Sequence, residues 1–177
     1  MKEKEYYNGV YSTSDKYKAH YSKSKYLPMW EKLLKWLQKN NVETVLDIGC
    51  GTAQLGAMLS DNDIDYRGFD YSKTAIDLEK ACGLCVWVGD ITDTNNYYKA
   101  DAYVCTEVLE HVYDDKEVFA KLPKGSLFCF SVPTFKHEAH VRRFKTEESI
   151  RERYSDVCGE LKIKSIGKRF LCKGVVL

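Results

Sequence analysis

The run Val45-Leu46-Asp47-Ile48-Gly49-Cys50-Gly51-Thr52-Ala53-Gln54-Leu55 limits the folds open to this chain more than any other stretch. It reads as a buried strand, a glycine turn and the start of a helix, and the glycines let backbone amides come close to a ligand. Gln54 stands where a dinucleotide fingerprint needs its third glycine, which weighs against a nicotinamide cofactor. Three more acids end later apolar runs: Asp70 in RGFDYS, Asp90 in WVGDIT and Glu107 in YVCTEV. They follow Asp47 at intervals of 23, 20 and 17 residues, each the length of one strand and helix. In a doubly wound sheet the carboxyl ends of successive parallel strands open on one crevice, so four acids would line one rim.

The surrounding sequence supports that sheet. VETVLDIG, TAQLGAMLSD, DYRGFD, SKTAIDLEKACG and LCVWVGD alternate short apolar runs with helical stretches, the pattern of βαβαβ units. Ser72 is placed to cap the helix SKTAIDLEKACG, and Gly83 to end it. ADAYVC and GSLFCFSV read as two further strands, with a helix EVFAKL between them opened by a capping box from Asp114 to Glu117. Leu27, Trp30, Leu33, Leu34, Trp36 and Leu37 mark an amphipathic helix over Ser24 to Asn40. Residues 134–145 read as a loop, Thr146 caps a helix ending near Tyr154, and ELKIKSIG with FLCKGVVL reads as a hairpin. The first 24 residues are rich in Tyr, Ser and Lys without a sustained period, and read as an arm.

By these residues the chain resembles the class I S-adenosylmethionine-dependent methyltransferases, with motifs spread over about residues 43–133. The resemblance implies an α/β, Rossmann-like fold: a seven-stranded, mostly parallel sheet with helices on both faces and a C-terminal β-hairpin. It implies that DIGCGTAQL surrounds the methionine part of the cofactor, with Gly49 and Gly51 giving close approach and Asp47 orienting the amino end. Asp70 would accept hydrogen bonds from both ribose hydroxyls, and Asp90 with the backbone of Ile91 would read the adenine edge. Gln54, Leu55, Tyr71 and Thr106 complete the expected cofactor contacts. The chemistry agrees, because a carboxylate is an acceptor suited to a vicinal diol and to an exocyclic amine. Taken singly, Asp70 or Asp90 reads equally well as a helix cap; together behind a G-x-G turn they read as ligands.

The stretch CTEVLEHV brings Glu107, Glu110 and His111 together, on one face if it coils into a helical turn. In the family resembled, this stretch faces the transferred methyl group, so Glu107 and His111 are the expected catalytic pair, with His111 as general base. The same residues look like part of the metal site of small-RNA 3′-terminal 2′-O-methyltransferases, and similar ones occur in ubiquinone-pathway O-methyltransferases. Both groups add a histidine from the loop after the fifth strand, where this chain offers His137 and His140. On that resemblance Glu107, Glu110, His111 and His140 would hold Mg²⁺ or Mn²⁺, which lowers a hydroxyl's pKa. Metal-assisted catalysis, metal-free catalysis and a structural role for acids near a helix start all stand open.

The formal charge of +1 conceals an asymmetry. Residues 1–40 hold nine basic and four acidic groups, 41–133 seven basic and sixteen acidic, and 134–177 eleven basic and six acidic. Basic ends around an acidic centre suit an anionic acceptor, nucleic acid included, as readily as they suit solvated helix faces. Arg142 and Arg143 are placed to clamp a phosphate or carboxylate, or to form surface ion pairs. Tyr6, Tyr7, Tyr11, Tyr17, Tyr21 and Tyr26 read as packing for the arm or as a lid over the cofactor. The seven cysteines are odd in number and scattered, so they read as reduced, and the C-x-x-C of Cys82 and Cys85 as packing. No run approaches the roughly 18 apolar residues of a membrane helix, and MKEKEYYNGV lacks a signal-peptide core. The expected compartment is the cytoplasm.

A chain of 177 residues suits one domain: an arm over 1–24, a cofactor-binding core over 25–133, and a substrate loop, helix and hairpin over 134–177. The expected activity is methyl transfer from S-adenosylmethionine, by preference to a hydroxyl of a small molecule or nucleic acid. Nitrogen and carbon acceptors, and a cofactor-binding regulatory module without turnover, remain the rivals.

Overall fold

The structure is a computed structural model that describes residues 2–79 and 83–177. Its centre is one seven-stranded sheet in the order β3-β2-β1-β4-β5-β7-β6. The strands are β1 (Thr44–Ile48), β2 (Asp65–Asp70), β3 (Cys85–Val88), β4 (Ala102–Thr106), β5 (Leu127–Pro133), β6 (Cys158–Ile166) and β7 (Arg169–Val176). The first five pair in parallel, and β7 runs antiparallel to both β5 and β6. This is the architecture expected from the sequence. The strand order reverses at β1, which pairs with β2 on one side and β4 on the other, so the crevice lies beyond the carboxyl ends of those strands.

Alternation along the strands divides the core between two faces. Val45, Ala102, Val104, Cys129 and Leu171 face α2 (Leu27–Lys39) and α3 (Gln54–Ser60). Leu46, Ile48, Tyr103, Cys105, Phe128 and Phe130 face α5 (Lys116–Ala120) and α6 (Glu147–Tyr154). The helix expected over Ser24 to Asn40 forms as α2, with Pro28 in its first turn and Met29, Trp30, Leu33, Leu34 and Leu37 buried. Ser72 caps α4 (Lys73–Glu79) by accepting from the Ala75 amide at 3.2 Å. Thr146 caps α6 in a reciprocal box with Ser149.

Three expectations need correction. The arm contains a helix, α1 (Lys4–Ser12), which the sequence hides because it buries no residue. Outside contacts hold it: Asn8 Oδ1 accepts from Ser72 Oγ at 2.7 Å and from the Thr74 amide at 3.2 Å. The Asp114 capping box does not form. The residue before α5 is Asp115, whose carboxylate binds Arg153, Arg142 and the Tyr154 hydroxyl. The stretch after β4 is not an α-helical turn: Glu107 has φ of 59° and Leu109–His111 forms a 3₁₀ turn, so Glu107 departs from the face of Glu110 and His111.

Cys105, Cys129, Cys158 and Cys172 are buried and free, and Cys85 is exposed; Cys82 lies outside the described residues. No described helix is long and apolar enough to cross a membrane.

Candidate active site

A cavity of about 520 Å³ opens at the carboxyl ends of β1, β2 and β4. One end is walled by the glycine turn after β1. Gly49 and Gly51 have φ of 77° and 56°, values that side-chain-bearing residues rarely adopt. A Cβ on Gly49 would lie 2.5 Å from Val108, and one on Gly51 2.8 Å from the Tyr11 hydroxyl, so both positions are closed by neighbours as well as by backbone. Asp47, at the end of β1, is 1 % exposed. Its Oδ2 accepts from Tyr66 at 2.9 Å, while Oδ1 is buried with no hydrogen-bond partner among the described residues. Desolvation pushes its pKa up to about 7, against the lowering influence of Tyr66.

Asp70, at the end of β2, is also buried, and both oxygens are held: Oδ2 by the Gly51 amide and Oδ1 by the Ser72 amide, each at 2.8 Å. Burial raises its pKa and the two amides oppose the rise. Leu55, Tyr71, Ile91 and Thr106 also line the cavity. Asp90 does not. Its Oδ1 accepts from the amide and hydroxyl of Thr92, both at 2.8 Å, within its own turn. Gln54 lines the cavity but spends its amide on the arm, donating to the carbonyls of Lys16 and Ala19, and Thr52 donates to Tyr17 O at 2.7 Å. The arm is thereby fastened across the glycine turn, and Tyr7 and Tyr11 become cavity walls.

The other end of the cavity is built by the 3₁₀ turn and the loop after β5. His111 Nδ1 lies 2.9 Å from Ala139 O. A carbonyl only accepts, so Nδ1 carries the proton and Nε2 the lone pair. Burial, followed by smaller contributions from His140 and His137, lowers the His111 pKa to about 4, which keeps the ring neutral at neutral pH. Glu110 is 1 % exposed. Its Oε1 is 3.8 Å from His111 Nε2, and Oε2 has no hydrogen-bond partner among the described residues. Desolvation, then the charge of Glu107, pushes its pKa well above the usual range. One ligand atom each from Glu110, His111 and His140 lie within 4.8 Å of one another.

Glu107 is not part of that group. Its Oε1 accepts from Ser131 Oγ at 2.9 Å and its Oε2 from Arg169 Nε at 2.7 Å. The sheet register causes this, because Thr106 pairs with Ser131 and Pro133 with Arg169. His137 lines the cavity but stays outside the three-residue group. Arg142 is committed to the protein, whereas Arg143 spends only its Nε. Arg142 donates to the carbonyls of Leu109, Val112 and Tyr113 and pairs with Asp115 at 3.0 Å, and Arg143 donates to Thr134 O at 2.7 Å. Arg142 thus ties down the turn that carries Glu110 and His111. Sequence reasoning missed Lys25, Phe135 and Arg169 at this end; Arg169 is 62 residues from Glu107 and no local pattern links them.

The family described as a methyltransferase domain matches residues 46–124. No curated protein sequence matches the chain significantly. Among solved structures, the methyltransferase domain of bacterial CtHen1-C is similar with TM-score 0.67 and 15% identity, over 84% of this chain and 96% of that one. Magnesium protoporphyrin IX methyltransferase from Synechocystis PCC 6803, with bound SAH, gives TM-score 0.66 and 15% identity over 85% and 83%. An S-adenosylmethionine-dependent methyltransferase from Clostridium acetobutylicum gives 0.65 and 16% over 88% and 93%. At these identities the likeness is one of fold.

Proposed function

We propose that this chain, a class I S-adenosylmethionine-dependent methyltransferase by its fold and by the family match over residues 46–124, methylates a hydroxyl oxygen presented to His111. The cofactor supplies an electrophilic methyl group on a sulfonium. The residues of the first cavity end fit it. The buried, unpartnered Oδ1 of Asp47 suits an ammonium group, and the positive-φ turn at Gly49 and Gly51 lines the cavity beside it. Each oxygen of Asp70 keeps a lone pair beyond its amide bond for a ribose hydroxyl. With Asp90 turned toward Thr92, recognition of the adenine edge falls to the backbone near Ile91.

The fixed tautomer of His111 carries the oxygen reading. Its Nε2 lone pair is aimed away from Ala139 and kept unprotonated by burial. A hydroxyl oxygen gains acidity as its bond to the methyl carbon forms, so a neutral imidazole of low basicity suffices to take the proton, and positioning contributes the rest.

A second reading has its own support. The unpartnered Oε2 of Glu110 and Nδ1 of His140, in one group with His111, are a donor set that Mg²⁺ or Mn²⁺ accepts. Those three residues would hold the ion, which lowers the pKa of a hydroxyl; Glu107, bonded to Arg169, would stand outside them. The acceptor is a small molecule or a nucleic-acid end, with an anionic one favoured by the basic flanks.

The test is methyl transfer to panels of hydroxyl, amine and thiol acceptors, with chelator and with added Mn²⁺. Transfer to hydroxyls that survives chelation supports the His111 mechanism. Transfer that requires Mn²⁺ replaces it with the metal reading, and transfer to amines or thiols alone overturns the oxygen acceptor.

A further inference from the structure

Beyond the three-residue group, the acceptor end of the cavity continues along a row of aromatic rings. The Phe135 ring lies 5.6 Å from that of His140 and 5.8 Å from the guanidinium carbon of Arg169. Arg169 in turn lies 4.6 Å from the Tyr26 ring, and the Lys25 ammonium 5.0 Å from the same ring. Lys25, Tyr26, Phe135 and His140 all face the cavity. Both cations thus lie against the Tyr26 ring, and Arg169 also lies near Phe135.

Charge at this spot is not balanced. Glu107 is the carboxylate bonded there, and its oxygens are committed to Arg169 and Ser131. Lys25 takes part in no ion pair among the described residues, and Lys16 also lines the cavity. Burial and the charges of Arg169 and Lys16 disfavour the Lys25 ammonium, and the charge of Glu107 only partly opposes them, so an anion at this place would relieve the remaining repulsion and gain a charged donor in Lys25.

We propose that Lys25 and Arg169, converging on Tyr26, form a subsite for an anionic group on the acceptor, one aromatic ring removed from the hydroxyl to be methylated. The acceptor is then a flat hydroxy compound whose body rests against Phe135 and Tyr26 and whose carboxylate or phosphate meets the Lys25 ammonium, with Arg169 adding positive charge behind the Tyr26 ring. Lys25 is the specificity-determining residue, since Arg169 also orients Glu107. The proposal rests on the methyl-transfer reading for the identity of the hydroxyl end.

The experiment is calorimetry on protein saturated with S-adenosylhomocysteine, using 3-hydroxybenzoate, 3-hydroxyphenyl phosphate and neutral 3-hydroxybenzamide as probes. At least one anion is expected to bind at least about tenfold more tightly than the amide. Lys25→Gln should remove that preference and Lys25→Arg should keep it, and the order of the two anions separates carboxylate from phosphate. Equal binding of all three probes, no binding of either anion, or a preference that survives Lys25→Gln overturns the subsite. If S-adenosylhomocysteine binds normally in those samples, the methyl-transfer reading stands while the subsite falls. If the wild-type protein fails to bind it, both fall.

Discussion

Asp70 and Glu110 are both buried carboxyls at one crevice, yet they are held in opposite ways. Each oxygen of Asp70 receives a backbone amide at 2.8 Å. Glu110 keeps one oxygen without a partner among the described residues, and His111, 3.8 Å away, is itself held neutral. Fixed amides define a charge in place before any ligand arrives, which is what holding a constant cofactor requires. An unsatisfied carboxyl beside a neutral imidazole is costly to the fold and is a mark of a working site. Asp70 is thus preorganised by backbone amides, whereas Glu110, like Asp47 Oδ1 at the cofactor end, keeps hydrogen-bonding capacity in reserve.

That contrast can be broken at either end. The largest expected effect is His111→Ala, which should lower turnover by about 10² to 10⁴ while S-adenosylhomocysteine affinity stays within about twofold. Loss of both together, measured by single-turnover transfer and calorimetry, would mean that the two ends are not separable.

Asp47→Asn addresses the other end. Its carboxyl titrates near 3.8 when exposed and near 7 in the fold, so its stabilising contribution is complete below the lower value and lost as pH rises through the upper. Without ligand, wild-type stability should therefore fall by up to a few kcal/mol between about pH 4 and 7 on account of this group. Denaturant titrations at both pH values should show a smaller fall in the Asn variant; equal slopes would contradict the burial argument. Least disruptive is Gln54→Ala, which removes the bonds to Lys16 and Ala19. It should speed amide exchange in the arm by about fivefold, from the loss of about 1 kcal/mol, and leave the sheet's exchange unchanged. A change in the sheet would show the arm to be part of the core.

The same division governs what could be read from the residues beforehand. The glycine turn, the acids at strand ends, the Thr146 cap and the terminal hairpin depend on neighbours a few positions apart, and their local chemistry announced them. Helix α1 escaped notice because it buries no residue and is secured by Asn8 contacts to Ser72 and Thr74 that cross the chain. Glu107 looked like a partner of Glu110 because an α-helical period was assumed. A positive φ and an arginine from β7 took it elsewhere. Arg142 read as a clamp or a surface ion pair for a similar reason: its partners lie about 30 residues away, beyond the reach of any local pattern.

The central claim is that the crevice beyond β1 and β2 grips S-adenosylmethionine through Asp70, and calorimetry of S-adenosylhomocysteine binding to wild-type and Asp70→Ala protein tests it most directly. The account predicts saturable binding at one site in the wild type and at least about a hundredfold weaker binding in the variant. Equal affinity in the two proteins, or no heat from a folded wild-type sample, would contradict it.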